Sequence, residues 1–473
     1  MTILPIQPAE NATPEALGAF LRECRASAQR DGRPKLVSIS LAVNALDPLA
    51  VLESIFDPQQ PHFYAERPAM DTAIAGAEVA LAFEAHGPDR FAAVQRWVDD
   101  TLQHTIAVGD VAAPFGGPHF FNSFAFHDEL EAGEPFAAAY VFVPSWQVAL
   151  AGATTTAVAN LVVSPDADLT ALALRVWRAH QKFRGFGFQE PASSEPAPLA
   201  PLRFTRREAG DYQAAVQRAL EHIQGGEFQK IVLARAQDLA ADRSLHPLEM
   251  LNGLRQRFPD CYAFSFTPGR GPSFIGASPE QLVRVSQGRL ETEALAGSSR
   301  RGVTASEDAA LGSALLRSEK DLREHRQVLD DIVARLEPLG VIPVYPAHPY
   351  IRRLANVQHL HTPVTAAMPP GASVLQVVAA MHPTPAVGGT PRGAAVARIR
   401  ELEGFPRGLY AGALGWLNAR GGGEFFVGIR SAVVEGANAR IFAGAGIVAG
   451  SLPEKEFAET ELKFKAMLDA LAG

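Results

Sequence analysis

Apolar residues recur along this chain at two spacings. Steps of three and four predict helices over NATPEALGAFLRECRASAQR, entered near Thr13 and Pro14, and over 88–105, where Phe91, Val94, Trp97 and Val98 form a stripe. The same spacing marks 211–225, where Tyr212, Val216 and Leu220 precede the Gly225 and Gly226 stop, and continues over 246–258, 308–336, 374–381 and 394–402. One more helix follows Pro453. Alternation in steps of two predicts strands over 35–43, a strand pair within 61–86 turning at Met70 and Asp71, and strands over 138–142, 228–239 and 261–266. Further strands fall over 273–285 (interrupted by small residues), 351–364, 410–418, 424–433 and 439–443, while ETEALAGSSRRG reads as extended and then turn-like. The pattern is that of an α+β chain whose N-terminal portion mixes antiparallel strands with a few helices.

Composition sharpens this picture in a few places. With 40 glycines and 35 prolines the chain must turn often, which argues against a mainly helical fold. Its 473 residues, 47% of them hydrophobic, can bury a large core in two or more units or in one unusually large one. The Pro- and Ser-rich segment 189–206 is the best boundary, a linker or an exposed loop. A net charge of -8 without a basic tail makes nucleic acid a poor partner. Cys24 and Cys261 lie too far apart in sequence to suggest a disulfide framework or a thiolate metal site. No basic-then-apolar leader and no apolar run of about 18 residues occurs, so a soluble, cytoplasmic protein with no membrane association is expected.

Candidate chemistry begins with polar groups placed where apolar ones belong. Period two puts Lys230 on one face of the 228–239 strand and Arg235 on the other; each must snorkel, pair, or enter a ligand cavity. Glu280 follows Pro279 at a bend, as a solvated turn carboxylate or one held for proton transfer. In EFFVGIRSAVV, Phe426, Gly428 and Arg430 share a strand face, leaving room for a planar anion or for an ordinary Arg–carboxylate pair. His359 and His361 have strand spacing and suit a metal, the core or a loop, whereas His62, His119 and His127 lack metal-ligand spacing. In 308–336, Lys320 with Glu324 and Asp321 with His325 are four apart, as on a solvent face, unless Glu324 turns toward Glu459. After Pro453, Glu456, Glu459 and Lys463 share one helix face. Those three form either a surface charge cluster or a hard-cation site preceded by the close-packed Gly444, Ala445 and Gly446, whose amides could meet an anion. Neither GxxxxGK[ST] nor GxGxxG is present.

Seven signatures, EFQKIVLAR, FIGASPEQLVRV, LAGSSRRG, SEKDLREH, HPTPAVGGTP, EFFVGIRSA and FAGAGIVAGSLPEKEFAET, together resemble the chorismate-utilising enzymes, in that family's order over 205–473. The resemblance implies a large two-layer antiparallel β core with surrounding helices. Residues 205–473 would be the chorismate-binding catalytic domain, and 1–200 an α+β portion contributing to the common core. Within the family the chain most resembles isochorismate synthases, which convert chorismate to isochorismate with Mg2+ and without a glutamine amidotransferase subunit, often as monomers. Carried over by motif, Lys230 is the base that activates water and Glu280 the acid that protonates the departing 4-hydroxyl. Glu324 and Glu459 are the Mg2+ ligands. His359, Ala386, Val387, Arg430, Gly444, Ala445, Gly446 and Lys463 contact substrate.

Two positions separate the relatives. Where aminodeoxychorismate synthases carry a nucleophilic lysine this chain has Ala296, which leaves water as the simplest nucleophile but does not separate it from anthranilate synthase component I. Salicylate synthases, the alternative, often have a threonine in the turn that here reads Ala386 and Val387. Gly388 stands where family members commonly have serine.

Overall fold

The computed structural model describes residues 1–4, 14–184, 202–269, 271–354 and 357–471. Its hub is the strand Ala139–Ala151, AYVFVPSWQVALA, whose near-continuous apolar run buries both faces through its first eleven positions. Along one edge it pairs with Thr72–Ala85; along the other it pairs first with His119–Phe124 and then with Thr154–Val163. The sheet therefore branches here. Except for two parallel pairs involving Thr105–Gly109, the ladders are antiparallel.

N-terminal and C-terminal strands alternate within this sheet. His62–Arg67 pairs with Tyr262–Thr267, and His119–Phe124 with Ala413–Asn418. Phe63, Phe121, Phe142, Phe264, Phe274, Trp416 and Phe426 meet in one aromatic core, so the ribbon of strands folds back on itself in two layers, with helices on the outside. The expected 189–206 boundary falls largely on 185–201, outside the described residues. Residues 204–206 begin the strand Phe204–Ala209, which pairs with Lys230–Ala241.

Several elements differ from the sequence expectation, each for a local reason. The 308–336 helix is two, Ala305–Leu315 and Glu319–Leu336, because Ser318 caps the second by accepting the Asp321 N–H. ETEALAGSSR stays in strand Arg289–Arg300, absorbing Gly297 at φ 78° as a bulge. The 424–433 strand is broken into Gly423–Val427 and Ser431–Glu435. Gly428 presses so closely on the Leu409 carbonyl that a Cβ there would lie 2.7 Å from it, and Arg430 takes a φ of 49°. Arg430 thus lies in a turn, off any strand face. The 439–443 strand extends to Val448, so Gly444 to Gly446 lie inside a strand and not at a helix entrance. The 410–418 strand starts only at Ala413, after Ala411 at φ 59°.

Gly389 has φ 150°, and a Cβ there would sit 2.4 Å from the Lys230 carbonyl oxygen and 2.5 Å from Ala395 Cβ. Gly389→Ala is expected to cost about 3 kcal/mol, the upper end for overpacking, read as a lower urea midpoint with an unchanged slope.

Candidate active site

Lys230 opens the strand Lys230–Ala241 with its side chain 5% exposed, and its Nζ donates to Glu324 Oε1 at 2.7 Å. Burial alone would raise the Glu324 pKa, but the charge and hydrogen bond of Lys230 outweigh it and bring it below the usual carboxylate range. Room for the amine comes from Gly446, where a Cβ would lie 3.0 Å from Lys230 Cε and 3.8 Å from Glu324 Oε1. On the other face, Arg235 stacks 3.7 Å from the Phe457 ring centroid and donates to Thr460 Oγ1 at 2.9 Å. It also pairs with Glu208 and Glu461 at 2.6 and 2.7 Å, fastening the helix Pro453–Leu471 to the strand of Lys230. Both basic groups therefore pair, on opposite faces.

The strand Asn438–Val448 places Gly446 opposite Val232 and Gly444 opposite Ala234. Val232 N–H donates to Gly388 O and Ala234 N–H to Glu403 Oε1, away from this ladder. Gly444 and Gly446 thus turn their own N–H and C=O groups to the outer side, where pairing with Ser431–Glu435 stops at Ile441. There the Gly444 oxygen accepts Lys463 Nζ at 2.6 Å. These glycines therefore lie on a sheet margin.

Glu280 sits at the bend between Ser273–Ser278 and Gln281–Ser286. Its N–H donates to Ser278 Oγ, its carbonyl accepts Val427 N–H, and the residue is 8% exposed. Burial, then the neighbouring charge of Glu293, push its pKa up to about 7, against the opposing effects of a 3.3 Å bond from Thr384 Oγ1 and the charge of Lys230. The charge of Lys230 thus reaches the Glu280 carboxyl. Tyr410 borders both Glu280 and Gly444: its phenol feels the Glu280 charge, and a Cβ on Gly444 would meet its hydroxyl at 2.8 Å.

Cations gather on one side. Burial, then Arg430, Lys463 and Arg352, depress the His359 pKa to about 3, so the ring is neutral. Its Nδ1 meets Ser298 Oγ at 2.8 Å, while its shielded Nε2 has no partner among the described residues. Arg430 Nη1 is equally without one, and no ion pair engages Arg430 among the described residues. Shielded guanidinium and imidazole nitrogens beside further cations fit a carboxylate-bearing ligand better than an internal Arg–carboxylate pair. His361 pairs separately with Glu293 at 2.6 Å, so the two histidines form no joint metal site.

Glu459 pairs with Lys463 at 2.8 Å. Burial, then the Glu459 charge, raise the Glu456 pKa against a hydrogen bond from Ser451, and Lys320 and Lys463 act on both Glu456 and Glu324. Lys320 and Lys463 therefore lie near carboxylates of both helices. Among the described residues no three His, Cys, Asp or Glu side chains converge as a ready-made metal site. Mg2+ commonly takes only one or two carboxylates and completes its shell with water and substrate oxygens, so this donor set fits it.

The Ala386–Val387 turn is bound to the Lys230 strand. Arg407, in a fully buried pair with Glu403 at 2.6 Å, donates to Val387 O at 2.9 Å and to Val232 O at 2.7 Å. Ala386 is partly exposed, whereas the Val387 side chain lies in the main apolar core. A Cβ on Gly388 would be 3.2 Å from Pro383 Cγ, so a serine there would be tight. Sequence reasoning missed Glu293, Thr384, Tyr410 and the Glu403–Arg407 pair as functional groups. Of these, Glu293 carried a usable signal, a charge inside an extended run, as with Lys230.

The fold and this arrangement define a known class. A family model described as chorismate binding enzyme matches residues 19–472, and the chain belongs to that family. It is closely similar to the isochorismate synthases within it: 36% identical to the salicylate biosynthesis isochorismate synthase of Pseudomonas aeruginosa, over 97% of this chain and 94% of that one. Identity to the isochorismate synthase MenF of Bacillus subtilis is 31%, over 93% and 94%. The solved structure of MenF, the menaquinone-specific isochorismate synthase from Escherichia coli, superposes with a TM-score of 0.77 at 26% identity, covering 95% of this chain and all of the other. Among the described residues, no helix is long and apolar enough to cross a membrane.

Proposed function

We propose that the protein is an isochorismate synthase, adding water at C2 of chorismate and releasing the C4 hydroxyl. The observation that carries this reading is a buried amine, Lys230, whose charge reaches a buried carboxyl, Glu280, that keeps its proton to about pH 7. Lys230 is the base that takes a proton from water while the water oxygen bonds to C2. The ring double bonds shift, the C4–O bond breaks, and the Glu280 proton passes to the departing hydroxyl, which leaves as water. The buried Ala296 offers no competing nucleophile. Arg430, His359, Lys463 and the Gly444 and Gly446 amides bind the substrate carboxylates. Mg2+ held by Glu324 and Glu459, with Glu456 beside them, would neutralise a ring carboxylate and fix the ring.

Purified protein incubated with chorismate and Mg2+ should yield isochorismate as its final product, resolved by chromatography. Chelation with EDTA should abolish turnover and excess Mg2+ restore it. Salicylate with pyruvate as main products would make the protein a salicylate synthase, and no product from folded protein would reject the reading.

A further inference from the structure

Glu293 lies on the strand Arg289–Arg300 with its side chain only 9% exposed, and none of the roles assigned above uses it. Period two and the strand register explain its partners. His361, opposite Leu295, is its diagonal neighbour on the next strand, and Arg352, opposite His359, is diagonal to His361 on the strand beyond. His361 Nε2 and Arg352 Nη1 reach the same oxygen, Glu293 Oε2, at 2.6 and 2.7 Å. A carboxylate only accepts, so His361 donates through Nε2. The second oxygen, Oε1, accepts the Gln281 N–H at 3.1 Å. That N–H belongs to the peptide bond joining Glu280 to Gln281, so the Glu293 carboxylate is moored to the backbone of the candidate acid. Burial by itself would favour protonated Glu293, yet the His361 bond and the Arg352 charge outweigh it and keep it ionised.

We propose that Glu293 is a positioning residue whose fixed negative charge keeps the proton on Glu280 and whose bond to the Gln281 amide fixes the bend that aims it. The proposal deepens the isochorismate synthase reading and rests on it for the use made of that proton. The other groups facing Glu280 oppose Glu293 or are neutral: Lys230 and the Thr384 hydroxyl favour the carboxylate, and the Tyr410 phenol is buried and uncharged. Around Glu293 itself stand His361, Arg352, Arg67, Tyr262 and Tyr350. A negative charge so enclosed by donors persists while the carboxyl next to it, with one weak donor, keeps its proton to about pH 7.

Glu293→Gln keeps the shape and an oxygen for the Gln281 N–H but removes the charge, while Glu293→Asp keeps the charge. Two readouts are needed, the pH dependence of kcat and a direct infrared titration of the Glu280 carboxyl, assigned by its disappearance in Glu280→Gln. In Glu293→Gln both the alkaline limb of kcat and the infrared midpoint should move down by about one pH unit or more, and in Glu293→Asp both should stay near the wild-type position. If Glu293→Gln lowers kcat evenly at every pH and leaves the infrared midpoint in place, the proposal is overturned. The infrared titration needs no turnover, so inactivity of the wild type on chorismate would defeat the functional reading and leave the Glu293 result standing on its own.

Discussion

Glu280→Gln is expected to lower kcat for isochorismate formation by about 10²- to 10⁴-fold with little change in KM. Glutamine fills the same space and can still accept the Thr384 hydroxyl, so the proposed binding of the substrate carboxylates by Arg430, His359 and Lys463 should be untouched. What it cannot do is deliver a proton to the departing hydroxyl. The wild type should show the complementary pH dependence. Its kcat should decline as pH rises through about 7, because that is where Glu280 loses its proton, and the decline should vanish from the residual activity of the variant. The same shift has a stability consequence. A carboxyl whose folded pKa lies above its ordinary value near 4.5 favours the native state below 4.5, and that advantage is lost as pH climbs from there to about 7. Above pH 7 the amide variant should therefore resist urea better than the wild type, a gain in stability that accompanies a loss of chemistry. A variant with near-normal kcat, or an unchanged alkaline decline, would remove Glu280 from its role.

Lys230→Ala carries the second large effect. Loss of the base should again lower kcat by about 10²- to 10⁴-fold, read in steady-state assays with chorismate. Unlike Glu280→Gln, it also strips Glu324 of its 2.7 Å partner in a largely buried setting. Leaving a shielded carboxylate unpaired costs stability, so the unfolding midpoint should fall as well. The space vacated beside Gly446 is open to a small amine. Added methylamine or ethylamine should restore part of the lost kcat without restoring the midpoint, and rescue of the midpoint alone would assign Lys230 a structural part only.

How much of this could be read from residues depended on how local the cause was. Lys230 and Glu280 were visible because each breaks a short-range rule, a cation in an apolar strand and a carboxylate after proline at a bend. Helices such as Val374–Met381 were equally visible, with Ser373 and Gln376 forming a capping box. Arg430 was found, but its expected strand face was wrong. The break at Gly428 is forced by the Leu409 carbonyl, which sequence alternation around Arg430 cannot register. Gly444 to Gly446 were singled out for anion binding at a helix entrance, yet it is the ladder register with Val232 and Ala234 that turns the Gly444 and Gly446 amides outward. Glu293 escaped notice because the groups that give it meaning, Arg352 and His361, lie 59 and 68 residues further along.

The interleaving of early and late strands has a bearing on how such a molecule can change. Severed from the residues before 205, the part that holds every candidate catalytic group would bare the sides of Tyr262–Thr267 and Ala413–Asn418 that now pair with His62–Arg67 and His119–Phe124. Two rows of unsatisfied backbone groups flanked by phenylalanines form an aggregation-prone edge. The halves are therefore not exchangeable modules, and new specificity within this architecture has to come through individual side chains around the ligand, with the ribbon of strands left whole.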